Sequence, residues 1–347
     1  MKSKYTKLLT RWDFLLVLVV FFLVLIFSYI TFFTPNYYGT KSPVTFDITK
    51  GESFSSVVDR LYDQGIIPNK INFKFAGFIY GAERKIRAAR FQIPNGLSYL
   101  DLLDLFISGK CDYQRTLTIR PGQTIKWLAH RLQKYVYIDS TEFVQLANKK
   151  EFADSLGLKQ NSFEGYLFAS DYEIFERSSP AEAITLFYDS FSTFYNDSLK
   201  LRTKELGFTI HEIITLASII KGETHKEEEM SRISGVYHNR LRIGMRLQAD
   251  PTIQYVLPGG WKRLTHKDLE LDSPYNTYKY FGLPPGPINS PGKSAILAAL
   301  YPEKNNYLYL VADGTGGHLF GKTLNEHNRN VKLYREYVRK IKDQSKK

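Results

Sequence analysis

The stretch Leu216-Ala-Ser-Ile-Ile-Lys-Gly-Glu-Thr224 closes an apolar helical pattern with one carboxylate, Glu223, on its greasy side. At 100° per residue, Ile213, Leu216, Ile219 and Ile220 fall within about 80° of Glu223 around a helix axis, and Lys221 points roughly the other way. If that stripe is buried, desolvation disfavours the ionised form and raises the pKa, which suits a general acid working near neutral pH. The same spacing also fits a solvated helix-end glutamate beside the acidic run Glu227-Glu228-Glu229. Other chemistries are weaker. His225, His238, His318 and His327 have acids nearby, but no pair shows the two-histidine helical spacing with an intervening glutamate that a zinc site needs, and no glycine-rich loop has phosphate-binding form.

An internal repeat appears between residues 45 and 135. Phe46-Asp-Ile48 leads to Gly51 and Ser53, Phe91-Gln-Ile93 to Gly96 and Ser98, and Leu117-Thr-Ile119 to Gly122 and Thr124. The spacing predicts a short strand, a glycine turn, then a hydroxyl N-cap on an amphipathic helix. The three helices read Val57, Val58, Leu61, then Leu100, Leu103, Leu105, then Ile125, Leu128, Ala129, Leu132. Residues 140–160 read as helix, and 180–206 as one long amphipathic helix with Phe187, Phe191 and Phe194. From Pro251 to Gly292 the chain is rich in Pro, Gly and Tyr and reads as ordered loops around a site.

The 347 residues suffice for a membrane anchor and two or three further modules. From Phe14 to Phe33 only Ser28, Tyr29 and Thr31 interrupt an apolar run long enough to cross a bilayer. Lys2, Lys4, Lys7 and Arg11 precede it and the next basic residue is Lys41, so the N-terminus is expected in the cytoplasm and the remainder outside. The exit, Ile30 to Tyr38, lacks a small-x-small cleavage pattern, which argues against a cleaved signal peptide. A single cysteine, Cys111, excludes an internal disulfide. The net charge of +12 is dispersed, without the interleaved aromatics of a nucleic-acid groove; an anionic wall polymer or the phospholipid surface is the expected counterpart.

After Glu223 the chain reads Asn239-Arg240-Leu241, Met245-Arg-Leu-Gln-Ala-Asp-Pro-Thr252, Pro274-Tyr-Asn-Thr-Tyr278, Gly282-Leu-Pro-Pro-Gly286 and Asn289-Ser-Pro-Gly292. It continues with Tyr309-Leu-Val-Ala-Asp313, Gly316-Gly-His-Leu-Phe320 and Asn325-Glu-His-Asn328. In order and content this resembles the MltG (YceG-like) family of endolytic murein transglycosylases, over roughly residues 160–332. The resemblance implies that Glu223 is the catalytic acid. It would protonate the leaving glycosidic oxygen and then, as carboxylate, take the proton from the 6-hydroxyl of N-acetylmuramic acid as that oxygen closes a 1,6-anhydro ring. One carboxylate serves both steps, where ordinary glycosidases use two. Many relatives carry a further acid where this chain has Lys221, and a proline where it has Ala169.

Among the remaining polar residues, Asp250 is the best candidate for a second carboxylate and is equally an Asp-Pro turn former. Gln248 precedes it in the same motif. Arg240 and Arg246 suit murein carboxylates by two-pronged hydrogen bonds, or surface ion pairs. Tyr275, Asn276 and Tyr278 have the faces and amide groups to hold a sugar and its N-acetyl group, or are core. Glu164 and His318 complete the substrate-binding candidates, and no metal or cofactor is expected.

The expected fold is α+β: a cytoplasmic tail (1–12), a transmembrane helix (13–34), a LysM-like strand-turn-helix module (45–115), a second strand-helix unit with connector (116–154) and a mixed α/β catalytic domain (155–343). The resemblance implies cleavage of nascent peptidoglycan strands to 1,6-anhydro ends at the inner (plasma) membrane, with murein synthases of elongation or division as partners. The alternative is a non-catalytic cell-wall-binding scaffold of the same machinery.

Overall fold

The computed structural model describes residues 11–39, 42–258 and 262–344, and Lys2, Lys4, Lys7 and Lys41, which carry much of the topology expectation, lie outside them. The chain divides after Arg115 into two compact units.

The first unit opens with α1 (Arg11–Phe33), whose 23 residues bury no side chain. At 1.5 Å per residue it spans about 35 Å, enough for a bilayer core of about 30 Å. Then follow β1 (Val44–Ile48), α2 (Phe54–Asp63), α3 (Lys70–Tyr80), β2 (Ala89–Ile93), α4 (Tyr99–Ile107) and β3 (Asp112–Thr118), the strand that carries the chain into the second unit. β1 and β2 are antiparallel with Phe46 opposite Phe91 and Asp47 opposite Arg90. Period-two alternation turns Phe46, Ile48, Phe91 and Ile93 into the core, while Arg90 grips Asp47 on the outer face through two bonds of 2.8 and 2.9 Å.

The repeat forms as strand-turn-helix in all three copies. Gly51, Gly96 and Gly122 each adopt a φ between 83° and 93°, open to glycine at little cost. Ser53, Ser98 and Thr124 each cap the following helix by accepting a backbone N–H. The buried face of α4 is Tyr99, Leu102, Leu103 and Phe106, with Leu100 and Leu105 only partly covered. The helix α3 has no counterpart in the sequence reading.

The second unit contains α5 (Ile125–Val136), α6 (Ser140–Ala147), α7 (Lys150–Ser155), β4 (Asp171–Phe175), α8 (Pro180–Phe194), α9 (Asp197–Glu205), α10 (Ile210–Glu223) and α11 (Glu227–Arg242). It continues with α12 (Asp250–Val256), α13 (His266–Leu269), α14 (Gly292–Leu300), the antiparallel pair β5 (Tyr309–Ala312) and β6 (His318–Gly321), and α15 (Leu324–Gln344). α10 sits at its centre, packed against α11, α12 and α14, with every residue from Ile213 to Lys221 buried.

Three sequence expectations need correction. Residues 116–154 are not a separate unit, because Leu128, Leu132 and Phe143 share one core with Phe187, Ile213 and Ile296. The helix expected over 180–206 breaks at Tyr195-Asn196, where Asn196 accepts from the Leu199 N–H and starts α9. The loops expected from Pro251 onward begin with a helix, α12, which Pro251 tolerates because it occupies the first turn.

Candidate active site

Glu223 is the last residue of α10, whose start is fixed by a capping box between Thr209 and Glu212. Its Oε1 accepts a hydrogen bond from the Tyr237 hydroxyl on α11 at 2.5 Å. Tyr237 is 1% exposed, three residues before Arg240, so both project from one face of α11. Burial raises the Glu223 carboxyl to about 7, helped by the nearby Asp250 carboxylate and opposed by the Tyr237 hydrogen bond, His318 and Arg240. Burial and the Glu223 charge in turn push the Tyr237 hydroxyl well above its ordinary value, so it acts as a donor near neutral pH.

Asp250 opens α12, and Gly222 explains how it comes close to Glu223. A Cβ on Gly222 would lie 2.5 Å from the Pro251 side chain, so only glycine lets the start of α12 rest on the end of α10. The Tyr278 hydroxyl donates to Asp250 Oδ1 at 2.5 Å, and burial together with that carboxylate raises its pKa. Tyr278 is presented by a turn that Asn276 locks. The Asn276 amide donates to Leu269 O at 2.9 Å and Leu271 O at 2.7 Å, and its Oδ1 accepts from the Tyr278 N–H at 2.9 Å.

Arg240 is buried and donates to the carbonyls of Leu308 and Leu247. His318 follows a turn in which Asp313 Oδ1 accepts from the N–H groups of Thr315 and Gly317. Its backbone N–H donates to Glu229 Oε1 at 3.1 Å, and its Nδ1 lies 2.9 Å from Glu229 Oε2.

Glu223, Asp250, Arg240, Tyr278 and His318 therefore share one electrostatic neighbourhood, as their mutual influence on Glu223 and Tyr278 records. The other candidates make the following contacts. Asn276 is fully buried with its amide committed to backbone, which corrects its reading as a sugar contact. Arg246 is exposed and lays its guanidinium 4.5 Å from the Phe281 ring centre. Gln248 holds a φ of 48°, with its backbone N–H donating to Thr277 O at 3.1 Å. Tyr275 packs on Tyr255 with ring centres 5.1 Å apart, on the side of the molecule where Glu164 acts on both rings.

Glu164 lines a cavity of about 910 Å³ whose wall also holds Lys221, Gly222, His225 and Pro251, so it runs beside Glu223 and Asp250 without including either. Lys221 is buried in that cavity wall, which Glu223 does not line. At Ala169 the flanking carbonyls are occupied: Leu167 O by Ser290, Phe168 O by Tyr172 and Ser170 O by Ile119.

The YceG-like family profile matches residues 46–333, across both units. The chain belongs to the YceG-like family. An endolytic murein transglycosylase of Bacillus subtilis strain 168 is 31% identical over 310 residues, covering 85% of this chain and 86% of the relative. One from Streptococcus pneumoniae strain D39 is 28% identical over 328 residues, and there the match covers 84% of this chain and 58% of the longer relative. A crystal structure of a YceG-like protein from Listeria monocytogenes is 30% identical, with a TM-score of 0.59 over 84% of this chain and 99% of the other. In this YceG-like chain the residue that sequence reading missed is Tyr237. A buried tyrosine among apolar neighbours carries no local sign of its partner; its spacing of three from Arg240 is the one usable signal.

Proposed function

We propose that this protein is a membrane-anchored endolytic lytic transglycosylase, cleaving the glycosidic bond between N-acetylmuramic acid and N-acetylglucosamine within nascent peptidoglycan strands. The observation that carries the chemistry is Glu223, a desolvated carboxyl whose pKa of about 7 leaves it protonated in a large fraction of molecules at neutral pH.

Glu223 gives its proton to the leaving glycosidic oxygen, and the C1–O bond breaks as positive charge grows on the sugar. The 6-hydroxyl oxygen of the same N-acetylmuramic acid forms a bond to C1, and its proton passes to the Glu223 carboxylate. Glu223 ends protonated and no water is consumed. The Tyr237 donor stabilises the transient carboxylate, and Asp250, held by Tyr278, places negative charge near the developing cation.

The helix α1 supports single-pass anchoring at the plasma membrane, with the catalytic unit outside and strand termination occurring near the surface where strands are made. The strand-turn-helix region before residue 116 serves as a LysM-like glycan-binding module, and murein synthases of elongation or division are the fitting partners.

The deciding experiment incubates full-length protein in detergent micelles with murein sacculi and identifies products by mass spectrometry. We expect 1,6-anhydro ends inside cleaved strands, absent with Glu223→Gln. Reducing ends would make it a hydrolase, and intact sacculi with retained binding would make it a scaffold; either overturns the proposal.

A further inference from the structure

The cavity of about 910 Å³ in the second unit lies on the face of the last turn of α10 that carries Lys221 and Gly222. Its volume is at the upper end for small-ligand pockets. Lys221, Lys126 and Glu164 all line it, and among the described residues none of them forms an ion pair with another at contact distance, although Lys126 acts on Glu164 from further away. Lys221 is 8% exposed, and its Nζ lies 3.0 Å from His225 Nδ1 and 3.5 Å from Thr224 O. Among the described residues no carboxylate comes within 4.0 Å of it, although Glu227 acts on it from further away. Glu164 accepts the Ile125 N–H at 3.2 Å on both oxygens, and among the described residues no cation comes within contact distance of it. Buried charges are ordinarily paired, because removing an ion from water is expensive unless a partner replaces the hydration. Asn289, in the same wall, donates to Ser218 O at 2.9 Å and leaves its Oδ1 without a partner. Tyr255 and Trp127 supply apolar surface.

We propose that this cavity is a subsite for the peptide stem of peptidoglycan, with a stem carboxylate at Lys221 and the ammonium of the stem's diamino acid at Glu164. This rests on reading the protein as a peptidoglycan-cleaving enzyme. Gly222 and Pro251 in the cavity wall are the chain neighbours of Glu223 and Asp250, so a stem seated there lies beside a muramic acid presented to the acid. Lys221 also gives the departure from relatives a meaning: an acid at that position would repel a stem carboxylate, whereas this cation recruits one. Burial raises the Glu164 carboxyl to about 7, so an arriving ammonium near that pH drives a proton off it.

The test is isothermal titration of full-length protein in detergent micelles with the N-acetylated pentapeptide L-Ala-γ-D-Glu-L-Lys-D-Ala-D-Ala. We expect about tenfold weaker binding for Lys221→Met, for Glu164→Gln, and for peptide acetylated on its lysine side chain, as for loss of one charge-assisted contact. Lys221→Arg, which keeps the charge, retains most of the affinity and guards against misreading a folding defect. Binding near pH 7 releases protons, seen as heats that vary with buffer ionisation enthalpy, and Glu164→Gln abolishes that release. Glu223→Gln binds the peptide as the parent protein does, so failure of the catalytic reading and failure of the subsite register in different measurements. Equal affinity for both peptides together with unchanged binding by Lys221→Met overturns the proposal.

Discussion

Replacing Tyr237 by Phe deletes the one hydroxyl that donates to Glu223 among the described residues, in a residue 1% exposed, and so tests the acid's environment with little change of shape. A hydrogen bond to a charged acceptor contributes about 1.5–3 kcal/mol. Since one pK unit corresponds to about 1.4 kcal/mol, its loss raises the Glu223 pKa by roughly one to two units. The direction follows from Tyr237 favouring the ionised form, which lowers a value that burial has pushed up to about 7. The first step needs the protonated acid, so kcat/KM is lost as pH rises through the pKa of Glu223. In Tyr237→Phe that alkaline limb moves up by about one to two pH units. The maximal rate falls by about tenfold, because the carboxylate formed in the transition state has lost its donor. The assay counts 1,6-anhydro ends released from sacculi across a pH series. An alkaline limb that stays in place in Tyr237→Phe refutes the assignment of Glu223 as the titrating acid.

Two further substitutions separate architecture from chemistry. Asn276→Ala strands the carbonyls of Leu269 and Leu271 and the Tyr278 N–H, and is expected to lower stability to urea by about 2–3 kcal/mol while the folded fraction keeps its KM; a raised KM with full stability would restore Asn276 as a sugar contact. Gly222→Ala forces a methyl group to within 2.5 Å of the Pro251 ring, costing about 1–3 kcal/mol in urea melts, and displaces Asp250 so that turnover falls further than the folded fraction does. Wild-type turnover and stability in Gly222→Ala would show that the approach of α12 to α10 is not needed.

Much of the local structure was legible in the chain. A glycine followed two residues later by Ser or Thr specifies a left-handed turn and a helix cap whatever surrounds it, which is why all three repeat helices start where the spacing placed them. The long helix expected over 180–206 failed for the complementary reason. Apolar periodicity runs through Tyr195-Asn196, and only the Asn196 side chain bonding to Leu199 N–H shows that the helix stops and restarts. Asn276 illustrates a different limit. An exposed sugar contact and a buried backbone clamp use the same amide, and composition cannot tell which carbonyls will be within reach.

For Glu223 the sequence determined its place at the end of an apolar helix, because helical periodicity acts over a few neighbouring residues, but left open whether the carboxyl is buried or solvated. The tertiary structure alone decided its company. Tyr237 is 14 residues away and Asp250 is 28 residues from Tyr278, so these contacts exist only because α11 and α12 close on α10. The same packing buried Lys221, of which the sequence said only that it points away from Glu223. Which groups face one another across a helix interface depends on how helices cross, and no single stretch of chain encodes that.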